Sequence, residues 1–119
     1  MSDKRLLGRW GQEQCEKFLK KQGYKTLTRN FSCSSGEIDL IMTASDGTVV
    51  FVEVKARADE KFADAEAAIT AGKKQRMTKT ANHFLRKYKL DNMPGRFDVV
   101  IVMLDEKGKA QIRHYENAF

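Results

Sequence analysis

Gly36-Glu37-Ile38-Asp39-Leu40-Ile41-Met42-Thr43-Ala44-Ser45-Asp46-Gly47-Thr48-Val49-Val50-Phe51-Val52-Glu53-Val54-Lys55 reads as two β-strands joined by a turn. β-branched and aromatic residues dominate both arms, and Ser-Asp-Gly is turn chemistry. Period-two alternation predicts Ile38, Leu40 and Met42 on one face of the first strand, and Val50, Val52 and Val54 on one face of the second. Directly opposed residues of an antiparallel pair share a face, so these apolar sets meet only if opposed residue numbers sum to an even value. A two-residue Asp46-Gly47 turn fails this test, because it sets Leu40 against Glu53. The loop Ser45-Asp46-Gly47 passes it and puts Gly47 where a positive φ is needed. In that register Asp39 opposes Glu53, Glu37 opposes Lys55 and Ile41 opposes Phe51.

Three charged groups thus fall on a sheet face that also carries apolar residues. Like charges opposed across strands are destabilising, and an unpaired buried charge costs several kcal/mol, so Asp39 beside Glu53 calls for a cation. A hard divalent ion meets that need: Mg²⁺ is commonly held by one or two carboxylates, with waters and substrate phosphate oxygens completing its shell. Lys55 points the same way as Glu53. It suits steadying a phosphate, or orienting or deprotonating an attacking water, wherever its surroundings disfavour the charged amine. Two blander readings fit the alternation as well: a solvated sheet face, and a polar network that satisfies itself. Apolar residues on both faces weigh against the first.

Asp39 followed by Glu53-Val54-Lys55 resembles the D…(D/E)xK signature of restriction-endonuclease-like nucleases. More specific are Gly36 to Ile41, Val50 to Arg57 and Arg96-Phe97-Asp98-Val99-Val100, which closely resemble the YraN-like protein family. The likeness extends to Gly8, Gly11, Leu19, Gly23-Tyr24, Arg29-Asn30, Lys73 and the closing Asn117-Ala118-Phe119. The resemblance implies a relation to archaeal Holliday junction resolvases, and with it an α/β fold of order α-β-β-β-α-β-β with a five-stranded mixed sheet flanked by helices. It implies a Mg²⁺- or Mn²⁺-dependent endonuclease hydrolysing DNA phosphodiesters, at branched or junction DNA. Asp39 and Glu53 would hold the metal and Lys55 would serve the attacking water, with Glu37 in an outer-shell role. The alternative is a non-catalytic DNA-binding or assembly module that keeps the nuclease fold.

One position departs from the family. YraN-like sequences usually read Gly-Glu where this chain reads Gly11-Gln12, and related nucleases place a metal-associated glutamate on this first helix. Gln12 accepts a hydrogen bond but brings no charge. Glu16 lies one turn on, on the face of Gln12, whereas Glu13 is rotated by about 100°. Glu16 by geometry, or Glu13 by proximity, is the expected substitute.

The remaining sequence fits one intracellular domain over residues 1–119. A chain of 119 residues with 41% hydrophobic content can bury one core. No apolar run approaches the roughly 20 residues of a membrane span, and the charged N-terminus lacks a signal-peptide core, so a cytoplasmic protein is expected. Cys15 and Cys33 make neither a disulfide scaffold nor a zinc set and are expected to be free thiols. The net charge of +6 and pI near 9.4 favour a polyanionic partner, which the resemblance implies is double-stranded or branched DNA. Lys73, Lys74 and Arg76, with Lys79, Arg86, Lys87 and Lys89, stud the second helix and could lie along phosphates, Arg57 joining them, although a solvated helix face reads the same way. By analogy with junction resolvases, a homodimer would provide two sites for two symmetric cuts.

Helix one is expected from Lys4 to about Gln22, with Leu7, Trp10, Cys15, Phe18 and Leu19 inward and Gly23 as its stop. Tyr24 to Phe31 reads as a strand, Ser32 to Ser35 as a loop, and Ala58 to Asp64 as a mobile segment. The long helix is expected from about Ala65 to Tyr88, broken near Gly72, with Ile69, Met77, Ala81, Phe84, Leu85 and Tyr88 as its apolar stripe. Phe97 to Leu104 is apolar on both faces, as in a central strand, and Ala110 to Tyr115 is the last strand. The connection from the third to the fourth strand through the helix predicts a parallel pair. Asp98, inside that central strand, is expected to pair with Arg57 or Arg96, ahead of joining the carboxylate site.

Overall fold

The computed structural model describes residues 3–67 and 70–119. Its elements are α1 (Asp3–Lys21), β1 (Lys25–Cys33), β2 (Gly36–Thr43), β3 (Val49–Ala58), α2 (Phe62–Glu66), α3 (Ala71–Lys87), β4 (Gly95–Leu104) and β5 (Ala110–Tyr115). The strands form a mixed sheet in the order β1-β2-β3-β4-β5, in which β3 and β4 are parallel and the other pairs antiparallel. This is the expected α/β architecture, reached because the polar turns at Ser34-Ser35, Ser45-Asp46-Gly47 and Glu106-Lys107-Gly108 allow hairpins, while the helical stretch forces a crossover.

The hairpin register is the predicted one. Leu40 pairs with Val52, Ile41 with Phe51 and Met42 with Val50. Ala44 N–H donates to Thr48 O across the three-residue loop, in which Gly47 has a φ of +89°. α1 ends at Gly23, whose φ of +95° lets the N–H groups of Gly23 and Tyr24 turn back to Lys20 O and Leu19 O.

Two apolar layers sandwich the sheet. Cys15 and Leu19 of α1 pack on Leu40, Met42, Val50, Val52, Val100 and Val102, with Trp10 and Phe18 partly buried against them. On the opposite face, Ala81 and Phe84 of α3 pack on Ile38, Ile41, Val49 and Phe51. Beside that cluster, Ala65 of α2 covers Val99, Ile101 and Met103, joined by Phe62, Tyr115 and Phe119. Closure of α1 onto the sheet depends on Gly11: a Cβ there would lie 2.4 Å from Ala56 Cβ. The helix backbone therefore rides directly on β3.

Several expectations are corrected. Ile38 does not share a face with Leu40; it packs with Phe51 and Phe84, on the face of Ile41. The alternation breaks at Asp39, opposite Asn30, whose φ is +52° and which interrupts the ladder between Arg29↔Leu40 and Phe31↔Ile38. The loop expected at Ser32–Ser35 shrinks, because Ser32 and Cys33 continue β1 and pair with Glu37 and Gly36. The segment read as mobile contains the start of α2, ordered by burial of Ala65. The long helix begins at Ala71, since the Thr70 side chain caps it by accepting from Lys73 N–H. Tyr88, 51% exposed, is its C-cap and lies outside the buried stripe of Met77, Ala81 and Phe84. Ile69 lies outside the described residues. Both cysteines are free thiols. No helix among the described residues is long and apolar enough to cross a membrane.

Candidate active site

The β2–β3 ladder stops at Leu40↔Val52, and beyond it the sheet forks. β2 continues along β1 alone through Ile38 and Glu37, while β3 continues along β4 alone from Glu53 to Ala58. Asp39 and Glu53 are the first residues past the last paired rung. Val54 N–H donates to Asp39 Oδ2 at 2.8 Å, so a carboxylate serves where the partner strand would otherwise accept. Glu37 and Lys55, expected to oppose one another, are separated by the fork: Glu37 is exposed, whereas Lys55 is buried. Opposed positions stay paired only while two strands run together, and these two part after Leu40↔Val52.

Along β3, Phe51, Glu53 and Lys55 alternate onto one face. Their parallel neighbours on β4 are Phe97, Val99 and Ile101. Phe51 belongs to the cluster under α3, and Val99 and Ile101 to the cluster under α2. Glu53 and Lys55 therefore lie along the seam between two apolar clusters, at only 8% and 5% exposure. Burial of this kind needs a partner, and Glu53 has one: Lys73 Nζ, from the first turn of α3, lies 2.6 Å from Glu53 Oε1.

The electrostatics follow from this crowding. Burial and the neighbouring Glu53 carboxylate push Asp39 up to about 6, against the Val54 N–H and the Lys73 ammonium, which pull it down. Burial holds the Lys55 amine below the ordinary lysine range, and the adjacent Lys73 charge lowers it further, with Glu53 opposing. Burial alone would lower Lys73 too, but its hydrogen bond to Glu53 and the charge of that carboxylate outweigh it and raise Lys73. The site thus joins a crowded carboxylate pair to a lysine whose charged form is disfavoured by burial. Among the described residues, no three His, Cys, Asp or Glu side chains gather as a metal-ligand group. The chain's contribution to a cation would be two carboxylates, a set of hard oxygens that suits Mg²⁺ or Mn²⁺ with water and phosphate oxygens as the other ligands.

The supporting residues on α1 are disposed differently. Gln12, Glu13, Glu16 and Glu37 line one cavity of about 740 Å³ together with Arg9 and Arg29. Glu16 does not substitute for the missing helix glutamate as a free ligand, because both its oxygens are occupied. Arg29 Nε and Nη2 donate to them at 2.8 and 2.7 Å, Thr26 Oγ1 donates at 2.6 Å, and Lys20 Nζ lies at 3.4 Å. The Arg29 hydrogen bonds hold Glu16 down at about 2 despite burial. Gln12 is half-buried.

Asp98 pairs with Arg96, as expected, and not with Arg57. It is fully buried; Arg96 donates to its two oxygens at 3.0 and 3.1 Å, Asn117 N–H donates at 3.0 Å, and His114 Nε2 lies 2.7 Å from Oδ2. Arg96 also donates to Tyr24 Oη. The rung Val52↔Asp98 puts this network on the α1 face, across the sheet from Glu53. Arg57 ion-pairs with Glu60 at 3.7 Å and donates to Ala56 O. Lys74 lies over the Phe119 ring at 5.2 Å, and Arg76 is exposed on α3. Of the basic residues named from sequence, Lys73 alone makes an ion pair with a carboxylate of the fork. Sequence reading missed that partnership, as well as the Arg29 clamp on Glu16 and the place of His114 and Tyr24 around Asp98. A lone histidine on the alternation of Ala110 and Ile112, the inward side of the last strand, was the available hint for His114.

The pattern of the uncharacterised protein family UPF0102 matches residues 11–102. A UPF0102 protein of Pelotomaculum thermopropionicum is 43% identical, with all of both chains covered. One of Caldicellulosiruptor saccharolyticus is 44% identical over 98% of this chain and 99% of its own. Among solved structures, Pyrococcus furiosus SfsA in complex with Ca²⁺ matches 96% of this chain and 64% of its own, at 15% identity and a TM-score of 0.45. An EndoMS–dsDNA complex matches 71% of this chain and 33% of its own, at 20% identity and a TM-score of 0.38.

Proposed function

The chain belongs to the uncharacterised protein family UPF0102, and for it we propose a Mg²⁺- or Mn²⁺-dependent endonuclease that hydrolyses DNA phosphodiesters. The observation that supports this reading is the fork of the sheet: Asp39 and Glu53 are the first residues past the last paired rung, close enough for their charges to interact, with Lys55 two residues on, which is in keeping with the D…(D/E)xK resemblance. Asp39 and Glu53 would hold the cation, which when bound would polarise the scissile phosphate and make a water more acidic. Lys55, its amine held below the ordinary range by burial, accepts the proton of the attacking water or steadies the charge that develops. Glu37 acts from the outer shell. Lys73, Lys74, Arg76 and Arg57 contact phosphates, in keeping with the net charge of +6. Branched or junction DNA is the proposed substrate, with a homodimer supplying two cuts.

The test incubates purified protein with plasmid and four-way junction DNA, with and without Mn²⁺. Mn²⁺-dependent cutting by the wild type that is lost in Glu53→Ala supports the assignment; equal cutting by both proteins would sink it. A second reading, a DNA-binding or assembly module without catalysis, is favoured by one observation: α1 presents Gln12 and a Glu16 already bound by Arg29. Under it, DNA affinity survives Asp39→Ala and Glu53→Ala and needs no divalent ion.

A further inference from the structure

Lys73 occupies a place that its basic neighbours on α3 do not. Its backbone is fixed in the first helical turn, where Lys73 N–H donates to Thr70 Oγ1 at 3.3 Å, and its side chain runs into the seam to reach Glu53. The two side chains are 32% and 10% exposed, so this ion pair is largely shielded from solvent. Lys55 lies beside it on β3, buried at 5%, which leaves Lys73 as the more exposed of the two ammonium groups.

We propose that Lys73 is the built-in counter-ion of the Asp39–Glu53 pair: it holds the two carboxylates together without metal and must be displaced from Glu53 for a divalent cation to bind. This rests on the metal-site reading above. The steric case is direct. Mg²⁺ binds carboxylate oxygens at about 2.0–2.1 Å, and an ammonium nitrogen 2.6 Å from the same Glu53 Oε1 would crowd and repel it. Charge count points the same way. The ammonium pairs with Glu53, while Asp39 accepts from Val54 N–H, so a doubly charged ion that reaches both carboxylates gains by replacing it. Displacement also frees a cation at the mouth of the site, where a phosphate oxygen is the natural new partner.

Lys73→Met tests the idea, with Lys73→Gln as the alternative should methionine disturb folding. Two readouts are needed: melting temperature in EDTA, in wild-type and Glu53→Gln backgrounds, and calorimetric titration with MnCl₂. In EDTA, Lys73→Met is expected to melt below the wild type, and this loss should largely vanish in the Glu53→Gln background. Mn²⁺ should bind Lys73→Met about tenfold more tightly than wild type, a usual size for coupling between two competing occupants. If wild type takes up Mn²⁺ and Lys73→Met binds it no better, displacement is overturned while the metal site stands. If neither protein takes up Mn²⁺, the metal site falls and displacement with it. A melting loss of equal size in both backgrounds overturns the counter-ion role.

Discussion

Removing the charge of Asp39 should make the metal-free protein more stable. In the fold, burial and the Glu53 carboxylate raise this carboxyl from its ordinary 3.8 to about 6. The difference is 6 − 3.8 = 2.2 pH units, and at about 1.36 kcal/mol per unit it amounts to about 3 kcal/mol. The sign follows from the direction of the shift. A raised carboxyl favours the folded state when protonated, so its contribution is fully present below pH 3.8 and is lost as pH rises through 6. Asp39→Asn keeps the shape, and its Oδ1 can still accept from Val54 N–H, but it has no charge to lose. The variant should therefore match the wild type near pH 4 and exceed it by about 3 kcal/mol at pH 8. For a chain of this size that is a rise in Tm on the order of 10 °C. The assay is urea and thermal unfolding of both proteins in EDTA at the two pH values. The electrostatic account would be falsified if Asp39→Asn were no more stable than wild type at pH 8, or if the gain were the same at both pH values. Under the proposed metal site, this is the electrostatic cost that a bound cation would relieve.

Two further perturbations probe the frame around the site. Gly11→Ala drives a methyl to 2.4 Å from Ala56 Cβ, so α1 must lift from β3; a loss of about 1–3 kcal/mol in urea unfolding is expected, and an unchanged midpoint would contradict the close packing. Asp98→Ala strips a fully buried carboxylate from Arg96, His114 and Asn117 N–H and should cost about 3–5 kcal/mol, read as a lowered Tm or as failure to accumulate folded protein, whereas Mn²⁺ uptake by any folded fraction should persist because Asp98 lies across the sheet from Glu53.

The hairpin from Gly36 to Lys55 fixes its own register. Side-chain alternation and turn chemistry act between residues close in sequence, so Leu40↔Val52 and the positive φ of Gly47 follow from the chain itself. The crossover to β4 is legible for a similar reason, since a helical stretch between two strands has few ways to return to one sheet. What the sequence by itself determines is thus the order of the elements and the nearness of Asp39 to Glu53. Tertiary structure decides what those carboxylates meet. β2 parts from β3 at Asp39, which undoes the expected pairing of Glu37 with Lys55, and Asn30 on the neighbouring strand breaks the alternation that would have kept Ile38 with Leu40. The capped start of α3 sends Lys73 to Glu53, and the packing of α1 on β1 gives Glu16 to Arg29. Local rules of spacing and propensity say which side of an element a residue occupies. The partner of a buried charge is set by how whole elements pack, where burial raises the energy of every unpaired group until some distant side chain meets it.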